Sequence, residues 1–497
     1  MRKIFILLAA VLAGILVFSA CRKEQRQTGS GETGRITVRF LGRVGQGDFP
    51  EGSDENNNIF VDFLREKTPY DFDFTFYRLP EDRNAIIASG AKYDMIGYGA
   101  GGAELANLLI LQQQNYLAPV DEYLPEANNL TDLEQIPKEV WIPLTIDGKK
   151  YAVPTPWSEL YFGIGIRVDW LEKLGLQPPK TIEDLKNVLI AFRDRDPDGN
   201  GVRDTIPLSN DWLPLPPNLR SLWGIPADYF MENGKVQYAY ATSAARDMVS
   251  WAADLYAEGL LDPEFATVSN EIQGQRLTND KIGCIFQQAW WDMKFWDLAF
   301  KESKGIDYSP YWWMAPPNDI YGNPVKLQIS GPMESFVVFP QDGHTKEAVD
   351  FVNRMLDLDL AETLTFGFEN VHWKRDANGN RYLTEEYDNI IWRWKYCDNI
   401  IFNLEMMAES ENLEYGDYRI PVQQYAGGPE TWDLLTPPII GIEQQLVDIN
   451  EHTNLEVIKF IMGERPMREY DAFVAELRSI GLDEVLAAKQ KAREGIQ

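Results

Sequence analysis

Apolar and polar positions alternate with two different periods along this 497-residue chain, and the switches between them mark out its elements. Period-two runs at Ile36–Leu41, Asp71–Tyr77 and Asp94–Tyr98 read as strands. Between them, 3.6-residue periodicity at Asn56–Lys67 and Arg83–Ser89 reads as helices, so the segment predicts βαβ units and a mostly parallel sheet. A second alternation starts at Lys150–Val153 and Phe162–Ile166. Asp169 is expected to cap a short helix that stops at Gly175, and Thr181 with Asp184 three residues on spells a capping box for a helix ending near Phe192. The helix Ala244–Glu258, the strand Lys281–Phe286, a strand Ser335–Phe339 returning to the first sheet and the helix Thr345–Leu356 follow. From Gly441 the chain is helical, broken at Gly463-Glu464-Arg465-Pro466 and again at Gly481.

The loop Asp194–Asp204 matches Asp-x-[Asp/Asn]-x-[Asp/Asn]-Gly in two registers. One uses Asp194, Asp196, Asp198 and Gly199. The other uses Asp196, Asp198, Asn200 and Gly201, with the Val202 carbonyl and Asp204 continuing the spacing. Ca²⁺ takes about six to eight oxygens, and alternate side chains of one tight loop supply them while glycines allow the turns. The second register is preferred, because it offers five oxygens and three negative charges. It has Pro207 at its twelfth position, so it is no sensor EF-hand; the plainer alternative is a solvated Asp/Asn/Gly turn. Asp376-Ala377-Asn378-Gly379-Asn380 looks similar, but it lies between strand-like arms Val371–Lys374 and Arg381–Thr384 and reads as an Asn-Gly hairpin.

Arg2 and Lys3 precede the apolar run Ile4–Phe18, and Ser19-Ala20-Cys21 closes it. This is the pattern of a secretory signal over residues 1–20, with Cys21 as the lipidated first residue of the mature chain and 21–35 as a polar tether. The expected location is the outer face of the cell membrane, touched through the lipid anchor only. Cys284 and Cys397 read as two buried thiols, since no spacing supports a disulfide. A formal charge of −29 makes nucleic acid and anionic lipid surfaces poor partners. It also disfavours a highly anionic substrate unless a local basic pocket overrides the mean. His344, His372 and His452 show no metal spacing, and neither a nucleophile elbow nor a phosphate loop is present.

The wording Ile166–Leu208, "IRVDWLEKLGLQPPKTIEDL…FRDRDPDGNGVRDTIPL", resembles the extracellular solute-binding proteins of ABC importers, in the lipoprotein branch that takes oligosaccharides. Asp147–Trp157, Asn233–Phe265 and Ile458–Leu486 carry the resemblance along most of the chain. It implies a two-lobed α/β fold of the periplasmic-binding-protein type II class, with ligand held in a cleft between lobes joined by hinge strands. Lobe one would be 36–153 plus 326–400, and lobe two 154–325 plus 401–497. It implies a structural calcium ion in the loop above, where Thr205 replaces the family's Glu, and a monomer that hands its sugar to the transmembrane subunits of a permease.

Sugars present an apolar C–H face ringed by hydroxyls, so aromatic platforms with polar edges suit them. Candidates lie past strand ends, where α/β clefts place ligands: Arg43, Tyr98, Trp157, Trp290 and Trp291, with Trp223 and Trp373 in loop-rich sequence. Trp170 and Trp251 sit in amphipathic helices and read as packing. A capture protein is the favoured reading and predicts no enzymatic activity. An exported glycan-binding scaffold and a glycoside hydrolase are the alternatives; the hydrolase needs two facing carboxylates, which no segment pairs.

Overall fold

The computed structural model describes residues 34–494 except 46, 100–101, 133–135, 157–161, 211–212, 306–310, 328–332, 398–399, 426–435 and 437. The signal, the tether and Cys21 therefore lie outside the described residues. The strands that build the two main sheets and two hairpins are β1 (Ile36–Arg43), β2 (Tyr70–Tyr77), β3 (Met95–Gly99), β4 (Ala152–Pro156), β5 (Phe162–Arg167), β6 (Ile206–Ser209), β7 (Tyr229–Glu232), β8 (Lys235–Tyr238), β9 (Ile282–Ala289), β10 (Tyr311–Trp313), β11 (Met333–Val338), β12 (Trp373–Arg375) and β13 (Arg381–Leu383).

The first sheet runs β2-β1-β3-β11-β4 and the second β10-β5-β9-β6. β1 is parallel to β2 and β3, but β11 is antiparallel to both of its neighbours. In the second sheet β9 is parallel to β6, and β5 is antiparallel to β9 and β10. The expected βαβ units are present and most strands of each sheet run the same way, but each sheet contains one reversed strand. The reason is the chain's route. β5 is the first strand after the chain leaves the first sheet and β11 is the strand by which it returns, so both start at the junction where the other strands end.

Period two sorts side chains onto opposite faces. In the first sheet Phe40 and Val337 join one buried cluster while Leu41, Phe336 and Val338 join another. In the second, Cys284 and Phe286 face one core and Ile285 another. The C-terminal helices Glu443–Ile461, Tyr470–Ile480 and Leu482–Glu494 join the second core through Ile449, Val457, Phe473 and Val485, packing on the helix Ser243–Ala257 and on β8. The helix Leu404–Gln423 spans both units, with Met407 in the first core and Val422 in the second. Ile401, Phe402 and Met407 belong to the first core, so residue 401 does not open the second unit.

Local signals match where they are self-contained. Thr181 Oγ1 accepts from Asp184 N at 3.0 Å and Asp184 returns the bond to Thr181 N at 3.1 Å. Gly175 ends its helix at φ +65°. Asp169 is not the cap, however: Arg167 holds that position, and its guanidinium takes the Asp169 carboxylate at 2.7 Å. Trp170 is buried and Trp251 packs against Trp223 with centroids 5.2 Å apart. Cys284 and Cys397 are free buried thiols, and burial pushes Cys284 up to about 12.

Candidate functional site

The oxygen-rich loop hangs between the helix Ile182–Asp194 and β6. Thr205 closes it by donating its hydroxyl to the Phe192 carbonyl at 2.8 Å, which engages the hydroxyl in structure. Asp196, Gly199 and Gly201 adopt φ of +47°, +77° and +78°, coiling the backbone tightly. Asp194 is held by Arg193 at 2.7 Å and by Arg203, and these guanidiniums bring its carboxyl down to about 2. It is committed elsewhere, which leaves the second register. There, Asp196 Oδ2 accepts from Gly201 N at 3.1 Å, and the Asn200 amide donates to Asp198 Oδ2 at 2.6 Å and to Asp204 Oδ1 at 3.0 Å. Val202 N donates to Asn200 Oδ1 at 2.6 Å, and its side chain is exposed.

Two oxygens remain: Asp196 Oδ1 and Asp198 Oδ1 are buried without a partner. Burial, and then the neighbouring Asp196 carboxylate, push the Asp198 carboxyl above its ordinary value. Positive charge is what this spot lacks, and the Asn200 amide supplies only partial charge. Asp204 meets the Lys281 ammonium instead. Accordingly, among the described residues no group of three or more His, Cys, Asp or Glu is gathered to hold a metal. The hairpin loop is different. Asp376 Oδ1 accepts from Asn378 N and Asn380 N, both at 2.8 Å, and β12 pairs with β13 as the Asn-Gly turn demands.

The aromatic candidates do not converge. Trp223 is 3% exposed within the second core, and Trp373 is 1% exposed, its indole N–H bonded to the Gly367 carbonyl at 3.0 Å beneath Arg381. Tyr98 is 1% exposed, stacked on Phe336 and covered by the Arg83 guanidinium at 3.9 Å. These three offer no free ring face, so their expected role as sugar platforms is corrected to packing. Arg43 ends β1 exposed, opposite Tyr77. Trp157 lies outside the described residues; Trp290 and Trp291 begin a helix, and their side chains lie outside them too.

What the structure does bring together is a cavity of about 590 Å³ between the two units. Leu105, Ala106 and Leu109, on the helix Gly102–Gln113 that follows β3, face Ile442 and Leu446, with Tyr229, Tyr238 and Lys489 completing the wall. Pockets of about 300–1,000 Å³ with apolar walls and a few placed polar groups are the usual seats of small ligands. The Asn233-Gly234 turn, at φ +50° and +78°, sets Tyr229 opposite Tyr238 in the β7–β8 hairpin, rings 5.0 Å apart. Lys489, on the helix Leu482–Glu494, places its ammonium 4.6 Å from the Tyr229 ring centre. Burial pulls that ammonium below its ordinary value and raises both phenols, so the tyrosines stay neutral. Sequence reasoning missed this wall, although the Asn-Gly hairpin signal places the two tyrosines side by side.

No family model matches the chain. It is 23% identical over 392 residues to the polygalacturonan/rhamnogalacturonan-binding protein YtcQ of Bacillus subtilis, covering 75% of this chain and 74% of that one. It is 30% identical over 239 residues to the fructooligosaccharide ABC transporter substrate-binding protein FusA of Streptococcus pneumoniae, covering 42% and 43%. The match thus spans most of the first relative and less than half of the second. Among solved structures, the alginate-binding protein AlgQ2 without calcium ion superposes with a TM-score of 0.72 at 18% identity over 93% of this chain and 99% of that one. An EF-hand mutant of FusA with fructo-nystose gives 0.68 at 20% identity over the same shares. Both establish the fold as that of two-lobed solute-binding proteins.

Proposed function

We propose that this chain, which belongs to the extracellular solute-binding proteins of ABC importers, captures an oligosaccharide between its lobes and delivers it to a permease. It is a binding protein and not an enzyme. The observation that carries the reading is the 590 Å³ cavity walled by both units, with Asp228, Asn450, Lys489 and other polar residues set among apolar side chains. Apolar groups take the C–H faces of a sugar, and the polar groups take its hydroxyls. Capture in an open cleft is followed by closure of the lobes, which the helix Leu404–Gln423 links through a foothold in each core. Transmembrane permease subunits are the proposed receivers, and lipidation at Cys21 would keep the monomer on the outer face of the membrane.

Calcium in the Asp194–Asp204 loop is part of the proposal. Asp196, Asp198, Asn200, the Val202 carbonyl and Asp204 would hold it, and the two buried unpartnered carboxylate oxygens support the fit. Bound there, the ion supplies the positive charge that two adjacent carboxylates lack and ties the helix Ile182–Asp194 to β6.

The test is isothermal calorimetry of the lipid-free protein against neutral and acidic oligosaccharides, with each sugar analysed afterwards. We expect one class to bind near micromolar Kd, about −8 kcal/mol, and to be recovered intact. New reducing ends would sink the capture reading in favour of hydrolysis.

A further inference from the structure

We propose that the interlobe cavity recognises a sugar carrying carboxylates, with the Lys489 ammonium as the group that reads the charge; this rests on the capture reading above. Lys489 stands in the cavity wall over the Tyr229 ring, and that ring is packed against Tyr238. Among the described residues it meets no carboxylate, and burial is the one influence lowering its affinity for a proton. Other cations packed in this unit are matched: Arg167 to Asp169 and Asp280, Arg220 to Asp228, and Arg465 to Glu456 and Glu476.

Among the described residues, the acids around the same cavity do not serve as its counter-ion. Asp228 is taken by Arg220, Glu443 accepts the Gly441 N–H at 2.9 Å, and Glu451 is exposed at the rim. A partly desolvated ammonium without a partner is a standing cost that a ligand carboxylate would offset, and a charge pair away from water is stronger than one in it. The overall charge of −29 sharpens the point. A long-range field that repels anions leaves their recognition to a local, desolvated cation.

The experiment is calorimetry at low and tenfold higher salt with trigalacturonate and trimannuronate against galactotriose and mannotriose, on wild type, Lys489→Met and Lys489→Arg. We expect wild type to prefer at least one acidic trimer over its neutral counterpart, with the preference shrinking at high salt. Lys489→Met should lower the acidic-to-neutral affinity ratio at least tenfold, and Lys489→Arg should restore most of it. A ratio unchanged in Lys489→Met, or a wild type that takes neutral trimers as well as acidic ones, overturns this inference and leaves capture standing. Binding of no oligosaccharide of either class would overturn the capture reading itself.

Discussion

Two loops of this protein share a spelling and differ in what they leave unsatisfied. Asp196-Pro197-Asp198-Gly199-Asn200 and Asp376-Ala377-Asn378-Gly379-Asn380 both read Asp-x-[Asp/Asn]-Gly-Asn. Both make the same turn, with the glycine N–H donating to the first Asp carbonyl at 3.2 Å and 3.0 Å. In the second loop, backbone N–H groups of Asn378 and Asn380 claim the Asp376 carboxylate and hold its carboxyl below the usual range. Asp319 does the same in Asp319–Asn323, accepting from Tyr321 N and Asn323 N. In the first loop a second carboxylate, Asp198, stands where the hairpin has Asn378, and one oxygen of each acid stays buried without a donor. One added charge thus separates a loop that closes on itself from one that leaves two buried carboxylate oxygens unmatched, the feature on which the calcium proposal rests.

The largest expected effect is chelation. If calcium binds only the folded chain, its removal from about a hundredfold excess over Kd costs about 2.7 kcal/mol. The melting temperature should fall in chelator for wild type and for Asp376→Asn, and not for Asp198→Asn. No fall in wild type, together with no metal by elemental analysis, would erase the distinction between the loops.

Next in size, Asp198→Asn should cross wild type: less stable in calcium, and more stable in chelator by the roughly 0.2–1 kcal/mol typical of partly exposed charge pairs. Denaturant unfolding in both buffers reads this, and a variant weaker in both would break the repulsion argument. Asp194→Ala separates the registers. It should keep the full calcium response and lose only the surface pairs with Arg193 and Arg203, each worth about 0–1 kcal/mol; loss of the response would reinstate the first register.

The smallest effect is the hairpin's titration. Asp376 has a depressed folded value, so its contribution is present above the ordinary carboxylate range and is lost as pH falls through the lower folded one. Comparing the acid limb of stability in wild type and Asp376→Asn measures it. An NMR titration placing Asp376 above about 4 would contradict it.

Much of the fold was legible because its signals are local. The Thr181 capping box, the Gly175 stop, the Asn-Gly hairpin and the period-two strands each close within a few residues. The acidic loop itself was legible, since the turn-forming glycines and Asp196 lie within a few residues of one another. The aromatic site was not. In the sequence Trp223, Trp373 and Tyr98 read as loop or strand-end residues, but Tyr98 falls within β3 and Trp373 begins β12, and Trp251, Arg381 and Arg83 cover the three rings. No periodicity within one element reports a cover supplied by another.

By itself, then, the sequence determined which segments are strands and helices, which loop collects oxygens and which family wording the chain carries, because each follows from neighbours within one turn or one strand. The tertiary structure alone decided that β5 and β11 run against their sheets, that three candidate aromatics are core, and that Lys489 stands over Tyr229 opposite Leu105. Those facts join residues of different elements, in the case of Lys489 hundreds of positions apart, and burial and charge at such sites depend on which surfaces the folded chain brings together.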